Sequence, residues 1–234
     1  MTGPDLDLVE ALCGGIIVSC QTSPENPLHG PPFAAALARA AVMGGARGVR
    51  ADSPADVAAV SRVVTVPLMG IYTIRRRGTP VLITPTFEDA EAIVRAGARI
   101  VAIDGTSRRR PGGISLAELI GRIRSELGAA VQADVATRAD GVAARAAGAD
   151  LVGSSITGYG GGPAPGRPDI ALVRALVREL DCPVVAERHF ATPRQIRAAF
   201  DAGAHAVVVG SAITDLAATT RRLVTASCRS SPGP

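Results

Sequence analysis

The sequence predicts an α/β chain folded as a single-domain (β/α)8 TIM barrel, and three observations carry that expectation. A phrase recurs four times: Gly44-Gly45-Ala46-Arg47-Gly48-Val49, Ala96-Gly97-Ala98-Arg99-Ile100-Val101, Ala147-Gly148-Ala149-Asp150-Leu151-Val152 and Ala202-Gly203-Ala204-His205-Ala206-Val207. Each copy follows an alanine-rich amphipathic stretch and precedes a short β-branched run, the pattern of a helix stopped by a left-handed glycine before a buried strand. Gly45, Gly97, Gly148 and Gly203 stand 52, 51 and 55 residues apart, too far for one βα unit and right for two. The gaps hold the missing units, and 234 residues suit one such barrel, for which roughly 200–250 is common.

Taken in order, strands are expected over 15–20, 48–51, 66–73, 100–104, 130–134, 151–155, 183–187 and 206–210. Each is short, apolar and unsuited to facing water, as strands of a fully covered parallel sheet are. Helices are expected over 32–43, 54–64, 87–96, 116–127, 139–147, 170–180, 193–202 and 215–226. Several have recognisable starts: Ser53-Pro54 and Thr192-Pro193 set proline at the first helical position, and Ser115 with Glu118 has the spacing of a capping box. An open doubly wound sheet is the runner-up, but it needs edge strands, and none of the eight carries obvious edge protection. The barrel is expected to take residues 1–226, with 227–234, SCRSSPGP, as a disordered tail.

Composition excludes several chemistries. All 25 basic side chains are arginine, and lysine is absent, so there is no Schiff-base lysine, no pyridoxal-phosphate anchor, no P-loop lysine and no lysine general base. A hydrophobic fraction of 47% against 20% charge is enough to bury a sizeable core. The net charge of +4 is spread along the chain, apart from the triplets Arg75-Arg76-Arg77 and Arg108-Arg109-Arg110. Those are either solvated loop residues or anion-binding forks. Only 3% of residues are aromatic and there is no long basic stripe, which argues against a nucleic-acid partner. Cys13, Cys20, Cys182 and Cys228 form no CxxC pair, and no ligand set points to a metal. The first residues lack the layout of a secretion signal and no apolar run reaches membrane-spanning length, so the expectation is a cytoplasmic protein with no membrane partner.

In a barrel of this type the active site lies where the strands end, so the polar residues there are the candidates. They include Gln21 after the first strand, Arg50 on the second, Thr73 on the third, Asp104 on the fourth, Asp134 on the fifth, Ser154 to Gly158 on the sixth, Glu187-Arg188-His189 on the seventh and Gly210-Ser211 on the eighth. Three carboxylates gathered at one rim raise one another's pKa, which suits acid–base work. Strand alternation puts Ala186 outside and Glu187 inside, with His189 on the same face as Glu187 if the strand continues. Glu187 and His189 then form a candidate acid–base pair, with Asp134 as a third group. His205 begins the last strand at the far end of the barrel and reads as structural, whereas His29 lies in a proline-rich loop and is left open. Gly210-Ser211, ahead of Ala212-Ile213-Thr214, is either a phosphate cradle of backbone amides or a simple turn.

Gly14-Gly15-Ile16-Ile17-Val18-Ser19-Cys20-Gln21, Ala102-Ile103-Asp104-Gly105-Thr106 with Arg108 and Arg110-Pro111, Ala133-Asp134, Gly158-Tyr159, Ala186-Glu187 with Thr192-Pro193, and Val209-Gly210-Ser211-Ala212-Ile213-Thr214 together look like the N-acetylmannosamine-6-phosphate 2-epimerase family. The likeness runs from about Gly14 to Thr214 in order. It implies interconversion of N-acetylmannosamine 6-phosphate and N-acetylglucosamine 6-phosphate without a redox cofactor, by moving a proton at C2 beside the carbonyl of the opened sugar. In that family a lysine after the third strand works with a glutamate after the seventh. Glu187 matches the glutamate, but the lysine position holds Thr73, whose hydroxyl brings neither a neutral-pH base nor a cation. Two more positions depart: the family's Glu-Gly-Arg reads Glu187-Arg188-His189, and the arginine expected after Thr214 is Asp215. By resemblance, Gln21 and Arg50 contact the sugar, Asp134 orients or polarises, and Gly210 and Ser211 meet the phosphate. Arg188, or an arginine of the 75–77 triplet, is the replacement cation.

Three functions follow as expectations. One is a C2 epimerase of sugar phosphates using Glu187, with His189 or Asp134 as second group. Another is a repurposed isomerase, epimerase or eliminating enzyme on a different sugar- or nucleoside-like substrate. The last is a phosphosugar-binding protein without turnover. Barrels of this kind often form homodimers, although no feature of the sequence decides the assembly.

Overall fold

A computed structural model of the chain describes residue 4, residues 6–156 and residues 166–227. Eight parallel strands close into a ring in chain order: β1 (Gly15–Ser19), β2 (Gly48–Asp52), β3 (Leu68–Ile71), β4 (Ile100–Asp104), β5 (Ala130–Asp134), β6 (Leu151–Gly153), β7 (Val184–Ala186) and β8 (Ala206–Val209). Closure is direct, with Gly15 opposite Ala206 and Val18 opposite Val209. No edge is left to protect, and the doubly wound alternative is excluded.

The helices are α1 (Asp7–Glu10), α2 (Pro31–Met43), α3 (Ser53–Ser61), α4 (Phe87–Arg95), α5 (Leu116–Glu126), α6 (Arg138–Ala146), α7 (Ile170–Glu179), α8 (Pro193–Asp201), α9 (Ser211–Thr214) and α10 (Leu216–Ser227). The glycine phrases behave as their chemistry requires: Gly45, Gly97, Gly148 and Gly203 have φ of 90°, 114°, 100° and 93°, each turning the chain from a helix into a buried strand. Thr192 caps α8 in a full capping box, whereas Ser115 makes only the half that accepts from the Glu118 N–H. Two further boxes, Thr86 with Asp89 and Thr137 with Asp140, use aspartate where the usual signature has glutamate.

Most boundaries shift by one to three residues, and two of the strand ends bear on the site. The third strand stops at Ile71, because the next residues turn out to pair locally, Thr73 bridging Ile83. The seventh stops at Ala186, since Arg188 and His189 both take left-handed backbone with φ of 75° and 63°. The last helix falls within a residue of its expected place as α10, preceded by the short α9, and Asp215 between them accepts from the Ala218 N–H at 2.9 Å. α10 buries none of its residues and leaves Leu216, Leu223 and Val224 exposed. The short α1, which lays Val9 and Leu12 under the barrel, carried no helical period long enough to read. Thr157, Gly158 and Tyr159, and the tail from residue 228, lie outside the described residues.

Alternation splits the buried side chains into two layers. Between strands and helices lie Val49, Val101, Ile103, Val131, Val152, Ala186 and Val207. Inside the barrel lie Ile17, Met69, Ile100, Ala130, Leu151, Val185 and Val208. Above this apolar plug the inward positions become polar, and that change of character locates the site.

Candidate active site

Two residues beyond each apolar plug position, the strands present Ser19, Arg50, Gln132 and Glu187 to the barrel interior, with Asp134 one step higher on β5. The register sets Asp134 between Asp104 on β4 and Gly153 on β6. The result is one buried network. Arg50 Nη1 donates to Glu187 Oε2 at 2.5 Å, and its Nε donates to Ser19 Oγ at 3.3 Å. Gln132 Nε2 donates to Glu187 Oε1 at 2.5 Å and to Asp134 Oδ1 at 2.8 Å. The Glu187 backbone N–H donates to Ser154 Oγ at 3.0 Å, which fixes the chain just as it leaves β7.

Burial makes this network electrostatically tense. Asp134 is fully buried, and that burial, reinforced by the neighbouring charge of Glu187, holds its carboxyl well above the usual aspartate pKa. Arg50 and the Gln132 amide pull in the opposite direction and do not cancel it. Burial also disfavours charge on Arg50, but Glu187, Asp134 and Asp52 together keep its pKa above the ordinary value. One cation therefore faces two carboxyl groups in a low-dielectric setting, an arrangement able to keep one carboxyl protonated beside another that is ionised.

Over the network opens a cavity of about 1210 Å³ at the strand ends, large enough for a phosphorylated hexose. Gln21, Arg50 and Thr73 line one side, and Arg188, His189, Gly210 and Ser211 the other. Glu187 and Asp134 are not on the wall; they lie below it, with Arg50 bridging from Glu187 to the cavity. Asp104 is off the wall as well, paired to Arg108 at 3.0 Å and accepting from the Thr106 hydroxyl. The expected strand-face pairing of Glu187 with His189 is corrected here. The left-handed turn after Glu187 carries His189 up to the rim, where Arg188 Nε donates to its Nε2 at 3.3 Å. Partial burial and the adjacent Arg188 lower the His189 pKa.

The rim differs from expectation in its cations. Of the first arginine triplet only Arg75 reaches the cavity, while Arg76 pairs with Asp89 at 2.5 Å and pins that loop to α4. Arg222 of α10 also faces the cavity, although no motif marks it out. Asp215 accepts from Asn26 Nδ2 at 3.2 Å, so it ties the loop after β1 to the start of α10. His29 lines the cavity from that same loop, and His205 lies at the opposite end, its Nε2 2.8 Å from the Val9 carbonyl. The second triplet belongs to the β4 loop, where Arg110 donates to the Asp104 and Thr106 carbonyls. Ser211 opens the four-residue α9, in which the Ile213 and Thr214 N–H groups donate to the Gly210 carbonyl at 2.8 and 3.1 Å.

Sequence reasoning missed two central residues. Gln132 had a usable signal, since it stands two before Asp134 on an alternating strand and so shares its face. Gly153 had none. A β-carbon there would come within 2.7 Å of Asp134 Oδ1, 2.7 Å of Gln132 Nε2 and 2.9 Å of Glu187 Oε1. Among the described residues, no group of three His, Cys, Asp or Glu could hold a metal ion, and no helix is long and apolar enough to cross a membrane.

Residues 34–228 match the model of a family described as "Putative N-acetylmannosamine-6-phosphate epimerase". A Cutibacterium acnes protein named "Putative N-acetylmannosamine-6-phosphate 2-epimerase" is 45% identical over 217 residues, 92% of this chain and 94% of its own length. An Escherichia coli O9:H4 protein of the same name is 43% identical over 211 residues, 90% of each chain. Among solved structures, the N-acetylmannosamine-6-phosphate 2-epimerase from Clostridium perfringens superposes with a TM-score of 0.90 at 30% identity, covering 94% of this chain and 96% of that one. Thiamine phosphate pyrophosphorylase from Pyrococcus furiosus, with a TM-score of 0.59 at 14% identity, shares the fold alone.

Proposed function

The chain belongs to the N-acetylmannosamine-6-phosphate epimerase family, an isomerase family, and on that premise we propose that it inverts C2 of N-acetylmannosamine 6-phosphate by proton transfer beside the opened sugar's carbonyl. The observation that carries this reading is the buried network of Arg50, Glu187, Gln132 and Asp134 directly beneath a phosphosugar-sized cavity. Removing a C2 proton needs a base, and reprotonation on the other face needs a second acid. Glu187 is the base. Asp134, whose raised pKa keeps it protonated where an ordinary aspartate has ionised, is the proton reserve beside it.

Arg50 makes the approach conditional. It covers Glu187 in this arrangement, and an incoming sugar carbonyl or hydroxyl draws the guanidinium towards itself, uncovering the carboxylate and placing a positive charge where enolate charge develops. Phosphate is taken at Gly210 and Ser211, with Arg188 and Arg222 supplying the charge that Asp215 does not. Gln21 and Thr73 contact the sugar, and His189 is the acid–base group at the rim.

The test is to incubate the protein with N-acetylmannosamine 6-phosphate in D₂O and follow C2 by proton NMR. Deuterium entering C2 together with the second epimer is the expected result, with a loss of about 10²–10⁴-fold in Glu187→Gln. Neither deuterium nor epimer, from folded protein, overturns the proposal.

A further inference from the structure

Gln132 sits in the barrel interior with no exposed surface, one layer above the apolar plug. Both hydrogens of its side-chain nitrogen are committed, one to Glu187 at 2.5 Å and the other to Asp134 at 2.8 Å. The orientation of the amide follows from its neighbours. Rotated by half a turn, it would set its own oxygen against two carboxyl oxygens. As it stands, that oxygen is buried without a hydrogen-bond partner, and so is Asp134 Oδ2. An orphaned buried acceptor is costly, and a thioether or isobutyl side chain of similar size would avoid it. Nothing in the packing of the barrel therefore calls for glutamine here. Gly153 makes the same point from the neighbouring strand, because its missing β-carbon is what leaves room for the amide and both carboxyls.

Resting on the reading above, we propose that Gln132 is a positioning residue for the proton transfer, its one amide nitrogen fixing the Asp134 and Glu187 carboxyls against each other beneath the cavity. Its role is exerted through these two groups, since it does not reach the cavity wall. By donating to both, it favours the charged form of the pair, so the shared proton is released at lower pH than burial alone would dictate. This matters in a chain that has no lysine, because the pair must accept and return a proton beneath the cavity without one. The charged groups that act on the pair are Arg50 from β2 and Asp104 from β4, with Asp52 acting on Arg50; from the β6 side Gly153 lies against the carboxyls and Ser154 Oγ accepts from the Glu187 N–H. Arg50 favours ionisation of Asp134 and Asp104 opposes it, and the amide adds a further pull towards the charged form that offsets part of the cost of burial.

The experiment compares wild type with Gln132→Met and Gln132→Leu. Carboxyl carbons are titrated by ¹³C NMR without substrate, with the two resonances assigned from Asp134→Asn and Glu187→Gln. Unfolding is measured in urea, and the pH profile of kcat/KM is taken for N-acetylmannosamine 6-phosphate. The variants are expected to be at least as stable as wild type, with the titration of the pair displaced upward by about one pH unit. The acid limb of kcat/KM is expected to move with it, and kcat to fall about tenfold while KM stays within about twofold. An unmoved carboxyl titration in the variants overturns the proposal whatever happens to activity, as does failure of both variants to fold, which would make Gln132 a structural residue. If wild type does not turn over this substrate, the functional reading fails by itself, and the substrate-free titration still decides the role of Gln132.

Discussion

Replacing Gly153 with alanine exchanges one hydrogen for a methyl group, yet the structure makes it one of the most damaging changes available. The new methyl carbon would sit 2.7 Å from Asp134 Oδ1 and from Gln132 Nε2, and 2.9 Å from Glu187 Oε1. Ordinary contact begins near 3.4 Å, so these three atoms must retreat by roughly 0.5–0.7 Å. They have nowhere to go without breaking the bonds of 2.5 and 2.8 Å by which Gln132 Nε2 holds the two carboxyl oxygens, and Glu187 is pinned again through its other oxygen to Arg50. Overpacking alone costs about 1–3 kcal/mol. Losing one hydrogen bond to a charged group adds about 1.5–3 kcal/mol. The expected loss is therefore roughly 2.5–6 kcal/mol, or a Tm lower by roughly 5–24 °C in a chain of this size. Gly121 provides the control. It lies within α5 with nothing inside 4 Å of where a β-carbon would go, so Gly121→Ala should raise stability by about 1 kcal/mol. Both variants are followed by circular dichroism in urea and on heating. An unchanged or higher Tm for Gly153→Ala would refute the close-packed network.

Other predictions follow from single residues. Asp134 has a folded pKa raised above its ordinary value of 3.8, so ionising it opposes folding progressively as pH rises from that value through the raised one. Asp134→Asn should therefore match wild type in stability at acid pH and exceed it towards neutrality, and urea midpoints that differ equally at every pH would contradict this. Arg188 holds left-handed backbone at φ 75°, where a side chain costs roughly 1 kcal/mol, so Arg188→Gly should stabilise by up to about that amount while raising KM for a phosphorylated substrate. Thr73 lines the cavity where the family has lysine, so Thr73→Lys is expected to raise kcat about tenfold with little change in Tm, and an unchanged kcat would show that the proton does not pass that position.

The barrel was legible because it is written in short-range chemistry. Four left-handed glycines, β-branched runs and capped helix starts fix where the chain turns, and buried parallel strands leave closure as the natural end of the count. Boundaries were less legible. Nothing local says that the strand before Glu187 ends at Ala186, since its termination depends on Arg188 and His189 taking a backbone conformation for which no glycine gives warning. The site was half legible. Glu187, Arg50 and Asp134 could be chosen as polar residues at strand ends, but the sequence could not say that Arg50 caps the pair or that Asp104 is engaged by Arg108 and Thr106 in its own loop.

The family likeness and the loss of lysine at Thr73 are properties of the amino-acid order, and the sequence determined them alone. Which residue takes part in place of that lysine is a matter of three dimensions. Gln132 and Gly153 stand on neighbouring strands, and each is ordinary in isolation. They gain meaning only when the barrel closes and sets an amide, two carboxyls and an absent β-carbon in one buried volume. In water each of those groups would be solvated independently; inside the barrel they share a few cubic ångströms with no solvent to screen them. Proton affinity there is a property of the group of side chains, and only the tertiary structure assembles that group.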